Sequence, residues 1–167
     1  MSKYIEFVNK VKEKCDQSWL TPSQKRAFKL IKNKSTNHRV INIFGKEGVG
    51  KTFLGWVLEK ENISKYFVDG ESIESKDNVV ITVDNFPSSR NEHRDFRRRM
   101  GMMGIKKAIL ITKPFAISDD VKKIEITFND EDKQQFKSIC SRKLRIQFKD
   151  ESPNYNMHEL LKKNIWS

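Results

Sequence analysis

Cysteine is nearly absent from this chain: Cys15 and Cys140 stand far apart, with no Cys or His near either at metal-ligand spacing. That argues against a disulfide-stapled fold and against a zinc centre, and it implies two reduced thiols. Long apolar runs are missing as well, and no stretch approaches the roughly 20 residues needed to cross a bilayer. The first 14 residues carry charge throughout and lack the apolar centre of a secretory signal. A cytoplasmic protein without membrane association is expected. There is no internal repeat and no low-complexity tract. Apolar residues are only 37% of the chain and charged residues 33%, so the surface must be heavily ionised. The apolar residues nevertheless gather into short dense runs, as in a folded protein.

Acidic residues are the minority among the charges. Against 22 Asp and Glu stand 33 Lys and Arg, a formal net charge of +11. Such an excess attracts polyanions: nucleic acid, DNA ahead of RNA, or an acidic protein partner. It would also help to hold a triphosphate. A chain of 167 residues encloses one sizeable core. It divides by pattern into an N-terminal helical segment (1–37), a central α/β core (38–128) and a small helical and extended appendage (129–167).

Residues 3–15 place Tyr4, Ile5, Val8 and Val11 at helical intervals with lysines opposite. Thr21-Pro22-Ser23-Gln24 reads as a helix start, Thr21 capping and Pro22 first, for a helix to about Lys34 that buries Ala27, Phe28, Leu30 and Ile31. Ser35-Thr36-Asn37-His38 breaks it. Val40-Ile41-Asn42-Ile43-Phe44 is a buried parallel strand by composition, and residues 52–60 suit a helix packed on a sheet. Strands are expected at 66–69, 78–84, 107–112 and 121–128. A helix capped by Ser88 or Ser89 should run to about Met100. Residues 130–140 look helical, 144–148 extended, and 156–163 helical. Strands alternating with helices mean an α/β fold: a parallel sheet of about five strands flanked by helices.

Gly45-Lys46-Glu47-Gly48-Val49-Gly50-Lys51-Thr52 fits G-x-x-x-x-G-K-[ST]. Glycines let such a loop turn its N–H groups onto phosphate oxygens, and the helix that follows presents its positive end to the same anion. Lys51 is expected to reach the β- and γ-phosphates and the Thr52 hydroxyl to ligate Mg²⁺, with Phe53 completing the nucleotide-contacting run. Four fixed positions match by chance in roughly 1% of chains this long. Here the match also lies between an apolar strand and an apolar helix. Asp84 ends the run 79–83, which would deliver it to the carboxyl edge of the sheet as the second Mg²⁺ ligand.

Together, these residues resemble the Walker A and Walker B motifs of P-loop NTPases, and the order of elements over residues 20–128 looks like that of AAA+ and related ATPases. The resemblance implies ATP and Mg²⁺ as cofactors, with Lys51, Asp84, Asn85 and Thr112 as candidate catalytic residues. The family's sensor position falls at Thr112 or Lys113, which end the strand after Walker B. Many members carry a glutamate after the Walker B aspartate to polarise the attacking water, where this chain has Asn85, which cannot act as a base. Glu47, Glu92 and Asp95 are the candidate substitutes, and nothing in the spacing singles one out. The short link at 113–120 leaves little room for the helix that usually bears an arginine finger. Beyond Phe128 too few residues follow for a full helical lid.

Arg90, Arg94, Arg97 and Arg98 would share one side of the helix after Ser89, with Arg99 beside them. Phe96, Met100 and Met103 would form its core-facing stripe. That basic side fits nucleic-acid phosphates, or a neighbouring subunit's ATP in a homo-oligomer or larger complex. A solvated helix face is the plainer account, since Glu92 and Asp95 sit at salt-bridging intervals. Gly101-Met102-Met103-Gly104 looks like the loop that ends this helix. His38, His93 and His158 form no triad or metal pattern, and Trp19, Trp56 and Trp166 read as core or anchoring aromatics. The sequence thus favours an ATPase working with nucleic acid in a DNA-processing assembly. A nucleotide-gated module with little hydrolysis stands second, and a small-molecule phosphotransferase third.

Overall fold

A computed structural model of the chain describes residues 3–33, 37–73, 79–113, 121–148 and 155–165. In chain order these form α1 (Lys3–Lys14), α2 (Pro22–Lys32), β1 (Val40–Phe44), α3 (Lys51–Lys60), β2 (Lys65–Phe67), β3 (Val80–Val83), α4 (Arg90–Met102), β4 (Lys107–Ile111), β5 (Val121–Glu125), α5 (Asp130–Ile139) and α6 (Met157–Ile165). The expected helix break at Ser35-Thr36, the strand start at Asn78, most of the 113–120 link, and Trp166 lie outside the described residues.

All strand pairs are parallel, in the order β2-β3-β4-β1-β5. Five strands flanked by helices make the α/β fold expected from the alternation. The pleat divides the core between the two faces of the sheet. On one face, Ile41, Ile43, Ile109 and Ile111 pack against Ala27, Phe28 and Ile31 of α2 and Leu54, Val57 and Leu58 of α3. On the other, Val40, Ile81, Val83, Ala108 and Leu110 pack against Phe96 and Met100 of α4. The apolar stripe expected on α4 is therefore present, with Met103 half-buried at its end.

Local chemistry sets the helix ends. Gln24 Oε1 accepts from the Thr21 N–H at 3.0 Å, while Thr21 Oγ1 has no partner among the described residues. The N-cap is thus closed by the glutamine three residues on, and not by the threonine hydroxyl. Ser89 Oγ accepts from the Glu92 N–H at 3.2 Å to start α4. Asn129 and Asp132 cap α5 reciprocally.

Three expectations fail. Leu30 is 44% exposed and Ile5 48% exposed, so neither serves the buried face of its helix. The apolar stripe of α2 is filled by Ala27, Phe28 and Ile31, leaving Leu30 on the solvent side. Residues 144–148 are not extended. Helical hydrogen bonding continues past α5 through a π-helical turn at Cys140–Leu144, which Arg145 closes at φ 58° as the Ile146 N–H donates to Cys140 O at 3.2 Å. Leu144, Ile146 and Phe148 then pack beside Phe136, Cys140, Met157 and Leu160, so apolar side chains that suggested a strand are satisfied without one. Finally, α4 runs on to Met102, taking Gly101 into the helix; Gly104, at φ 66°, marks the turn. Cys15 and Cys140 are buried free thiols in separate clusters. Among the described residues no helix is long and apolar enough to cross a membrane.

The start of α4 is fastened to the loop before it. His93 is buried, its Nε2–H donating to Pro87 O at 2.9 Å and its ring edge-on to Phe86 with centroids 4.7 Å apart. Burial, aided by Arg97, pushes the imidazole down to about 4 against the opposing pull of Pro87 O and Glu92. A group whose folded pKa is depressed in this way is neutral in the native state, and the unfolded chain takes up the proton first. Its contribution is complete above the unfolded value near 6.5 and is lost as pH falls toward 4. Chemical denaturation should show about 2 kcal/mol of stability lost to this group between pH 7 and pH 5. In His93→Gln that interval of the pH profile should flatten.

Candidate functional site

Because the sheet is parallel, β1, β3 and β4 deliver the residues after them to one edge: Gly45, Asp84 and Thr112. A cleft of about 880 Å³ opens there, within the usual range for small-molecule sites. Its polar end is lined by Gly45, Gly48, Gly50, Lys51, Thr52 and Asp84, with Glu47, Asn85, Thr112 and Lys113 around them. Its apolar end is lined by Val11 of α1, Trp19 between α1 and α2, Phe53 and Trp56 of α3, Ile139 of α5, Leu144 of the π-helical turn and Leu161 of α6. Trp19 and Trp56, read from sequence as core aromatics, thus form a wall of the cleft.

The loop at 45–50 is built from backbone that side chains resist. Gly45, Gly48 and Gly50 have φ of 151°, 74° and 82°. At Gly45 a Cβ would lie 2.2 Å from Ile126 O, because β5 continues its pairing there through Ile126 N–H to Phe44 O at 2.8 Å. Among the described residues, none of the backbone N–H groups of residues 46–50 donates a hydrogen bond within the protein. Five consecutive donors without acceptors, ahead of the ten-residue helix α3, make a place for an anion.

The loop carbonyls, by contrast, are held. Lys51 Nζ donates to Gly45 O at 3.0 Å and Lys46 O at 2.7 Å. Burial lowers the Lys51 pKa, opposed by the charges of Asp84 and Glu47. Gln24, fully buried on α2, donates to Gly50 O at 3.1 Å and Val49 O at 3.4 Å. The Met157 N–H at the start of α6 donates to Gly48 O at 3.1 Å, with the Asn156 side chain against Gly48. Carbonyls turned toward protein donors leave the amides of the loop for a ligand.

Asp84 is 4% exposed and continues the alternation Val80, Thr82, Asp84, the positions that face α3. Thr52 Oγ1 donates to Asp84 Oδ2 at 2.6 Å. Tyr66 OH donates to the same oxygen at 2.7 Å, and the Asn85 N–H donates to Asp84 Oδ1 at 2.8 Å. The two residues expected to hold Mg²⁺ are therefore in direct contact. Among the described residues no three His, Cys, Asp or Glu side chains cluster as a metal site. Mg²⁺ held by one carboxylate, a hydroxyl, water and substrate phosphates needs no such cluster.

Other candidates separate. Val49 is buried beneath the loop in the α2–α3 face of the core, and Lys46 is exposed and does not line the cleft. Asn85 lines the cleft at φ 48°, its side-chain amide turned to Val68 O at 3.2 Å. Thr112 is buried at the cleft floor, its N–H donating to Ile43 O at 3.2 Å. Of the three carboxylates considered as replacements for a catalytic glutamate, Glu47 lines the cleft and Glu92 and Asp95 do not. None of Arg90, Arg94, Arg97, Arg98 and Arg99 lines it either; all but the half-buried Arg97 are exposed on α4.

Sequence reasoning missed Tyr66, Gln24 and the Asn156–Met157 turn. Gln24 was legible only as a helix-start residue. Tyr66 looks like any strand aromatic, and α6 meets the loop from more than a hundred residues away. No protein-family model matches the chain, and no curated protein sequence matches it either.

The loop geometry separates two substitutions. Gly50→Ala imposes a left-handed backbone on a side chain whose neighbours are the movable ends of Gln24 and Met157, at a cost of about 1–2 kcal/mol. Gly45→Ala meets the backbone carbonyl of Ile126, just past β5, which is held in place by the Ile126 N–H bond to Phe44 O. Urea unfolding should show Gly45→Ala destabilised at least about twice as much as Gly50→Ala.

Proposed function

We propose that the chain is a P-loop protein of the AAA+-like kind that binds ATP with Mg²⁺ at the cleft, with residues 45–52 as Walker A and Asp84 as the Walker B carboxylate. The observation that carries this reading is the Thr52–Asp84 hydrogen bond, set beside a run of five backbone amides that have no protein acceptor. The triphosphate would lie on those amides, with Lys51 leaving the Gly45 and Lys46 carbonyls for the β- and γ-phosphates. Bound Mg²⁺ would neutralise the charge of the phosphates, held by Thr52 and Asp84. The flat base would lie toward Trp19, Phe53 and Leu144 at the apolar end.

The site provides for binding a nucleotide better than for cleaving it. An effective base must lie within reach of the attacking water. Asn85 has no basic oxygen to offer and spends its amide on Val68 O. Glu47, the remaining cleft carboxylate of those considered, is exposed at the loop rim. Slow turnover, or turnover completed by a partner's residues, follows. That favours a nucleotide-gated module as the second reading. A partner bearing phosphates is supported by the exposure of Arg90, Arg94, Arg98 and Arg99 opposite buried Phe96 and Met100, together with the net charge of +11. We propose DNA ahead of RNA as that partner.

Calorimetric titration with Mg²⁺-ATP should give binding in the wild type and a loss of about 10- to 100-fold in affinity for Lys51→Ala. Asp84→Ala should lose the gain that Mg²⁺ provides. Phosphate release, followed with and without single- and double-stranded DNA, then decides the enzyme question; ATP binding without release in any condition leaves the gated module. Absence of ATP binding in the wild type contradicts the proposal. For the arginines, the logarithmic salt dependence of DNA affinity should flatten in Arg94→Ala/Arg98→Ala/Arg99→Ala by about 1 for each DNA phosphate no longer neutralised. An unchanged slope would place the DNA-binding surface elsewhere.

A further inference from the structure

We propose that Tyr66 is a positioning residue that sets the affinity of the site for its divalent cation by holding the Asp84 carboxylate. The inference rests on the Mg²⁺-nucleotide reading above and adds to it a residue that neither motif contains. Its basis is the accounting of lone pairs on Asp84. A carboxylate offers about four acceptor positions. Oδ2 takes two donors, Thr52 Oγ1 at 2.6 Å and Tyr66 OH at 2.7 Å, and Oδ1 takes the Asn85 N–H at 2.8 Å. Three donors, from α3, from β2 and from the residue after Asp84 itself, fix the plane of the group, leaving acceptor capacity on Oδ1. A cation or its bound water then meets a carboxylate that is already oriented. Partners of metal ligands in this role are worth about 10- to 100-fold in metal affinity.

Several features of the fold hold that phenol in place. Tyr66 pairs with Thr82, so it shares the α3-facing side of the sheet with Thr82 and Asp84. Its backbone N–H, on the outer edge of β2, donates to Glu59 Oε1 of α3 at 3.0 Å. Its ring occupies the place where residue 55 lacks a side chain: a Cβ on Gly55 would stand 2.8 Å and 2.9 Å from ring carbons. Glycine inside a helix costs about 0.5–1 kcal/mol relative to alanine, so that notch is retained against the propensity of α3.

The test is a Mg²⁺ titration of fluorescent-ATP binding, run beside a titration in EDTA, on the wild type, Tyr66→Phe and Gly55→Ala. Tyr66→Phe keeps the ring and removes the donor. The Mg²⁺ concentration giving half-maximal effect should rise about tenfold, while affinity in EDTA moves less than twofold. Gly55→Ala keeps the hydroxyl but displaces the ring, and should shift the Mg²⁺ midpoint in the same direction. An unchanged or lowered midpoint in Tyr66→Phe overturns the proposal. So does an equal loss with and without Mg²⁺, which would make the residue a packing element. A wild type that binds no nucleotide sinks the underlying reading instead, and a wild type with normal Mg²⁺ dependence beside an unaffected Tyr66→Phe sinks this inference alone.

Discussion

The hydrogen bond from Thr52 to Asp84 joins the start of α3 to the end of β3, and the rest of the site is arranged around it. For the bond to form, β3 must present alternate residues to α3, which the pleat does for Val80, Thr82 and Asp84. The helix must also begin within reach of a strand that is not β1's neighbour, since β4 lies between β1 and β3. The loop at 45–50 meets that demand by turning through three positive-φ glycines, with Gly45 pressed against Ile126 O. The bond therefore constrains strand register, loop length and the direction of α3 together.

Around this bond the polar groups are sorted into two classes. Loop carbonyls are occupied by Lys51, Gln24 and Met157, and the oxygens of Asp84 by Thr52, Tyr66 and Asn85. The loop amides at 46–50 are left over. Consecutive backbone donors with no protein acceptor, just ahead of a helix, suit an anionic ligand. This asymmetry favours binding an anion. It does nothing for cleaving one, and the turned-away Asn85 and the arginines facing solvent on α4 point the same way.

Much of this was legible in the sequence because it is local. The loop and its flanking elements lie within residues 40–60, and Asp84 is marked by the apolar run before it. Alternation of strands and helices was enough for the parallel sheet. What escaped was non-local. Tyr66 acquires its role only through pairing with β3 and the notch at Gly55, and nothing in Lys65–Phe67 distinguishes it from a packing aromatic. Gln24 serves α2 and the loop at once, and only its role at the helix start can be read from neighbouring residues. The misreading of 144–148 has the same origin: Leu144, Ile146 and Phe148 alternate as a strand would, but the apolar surface of α5 and α6 satisfies them first.

Amide chemical shifts of ¹⁵N-labelled protein titrated with Mg²⁺-ATP test the central claim most directly, because they report on the backbone donors themselves. The account predicts that the amides of residues 46–52 shift furthest and saturate together, and that Lys51→Ala weakens the whole set. Shifts centred elsewhere, or loop amides that stay in place while ATP binds, would contradict it.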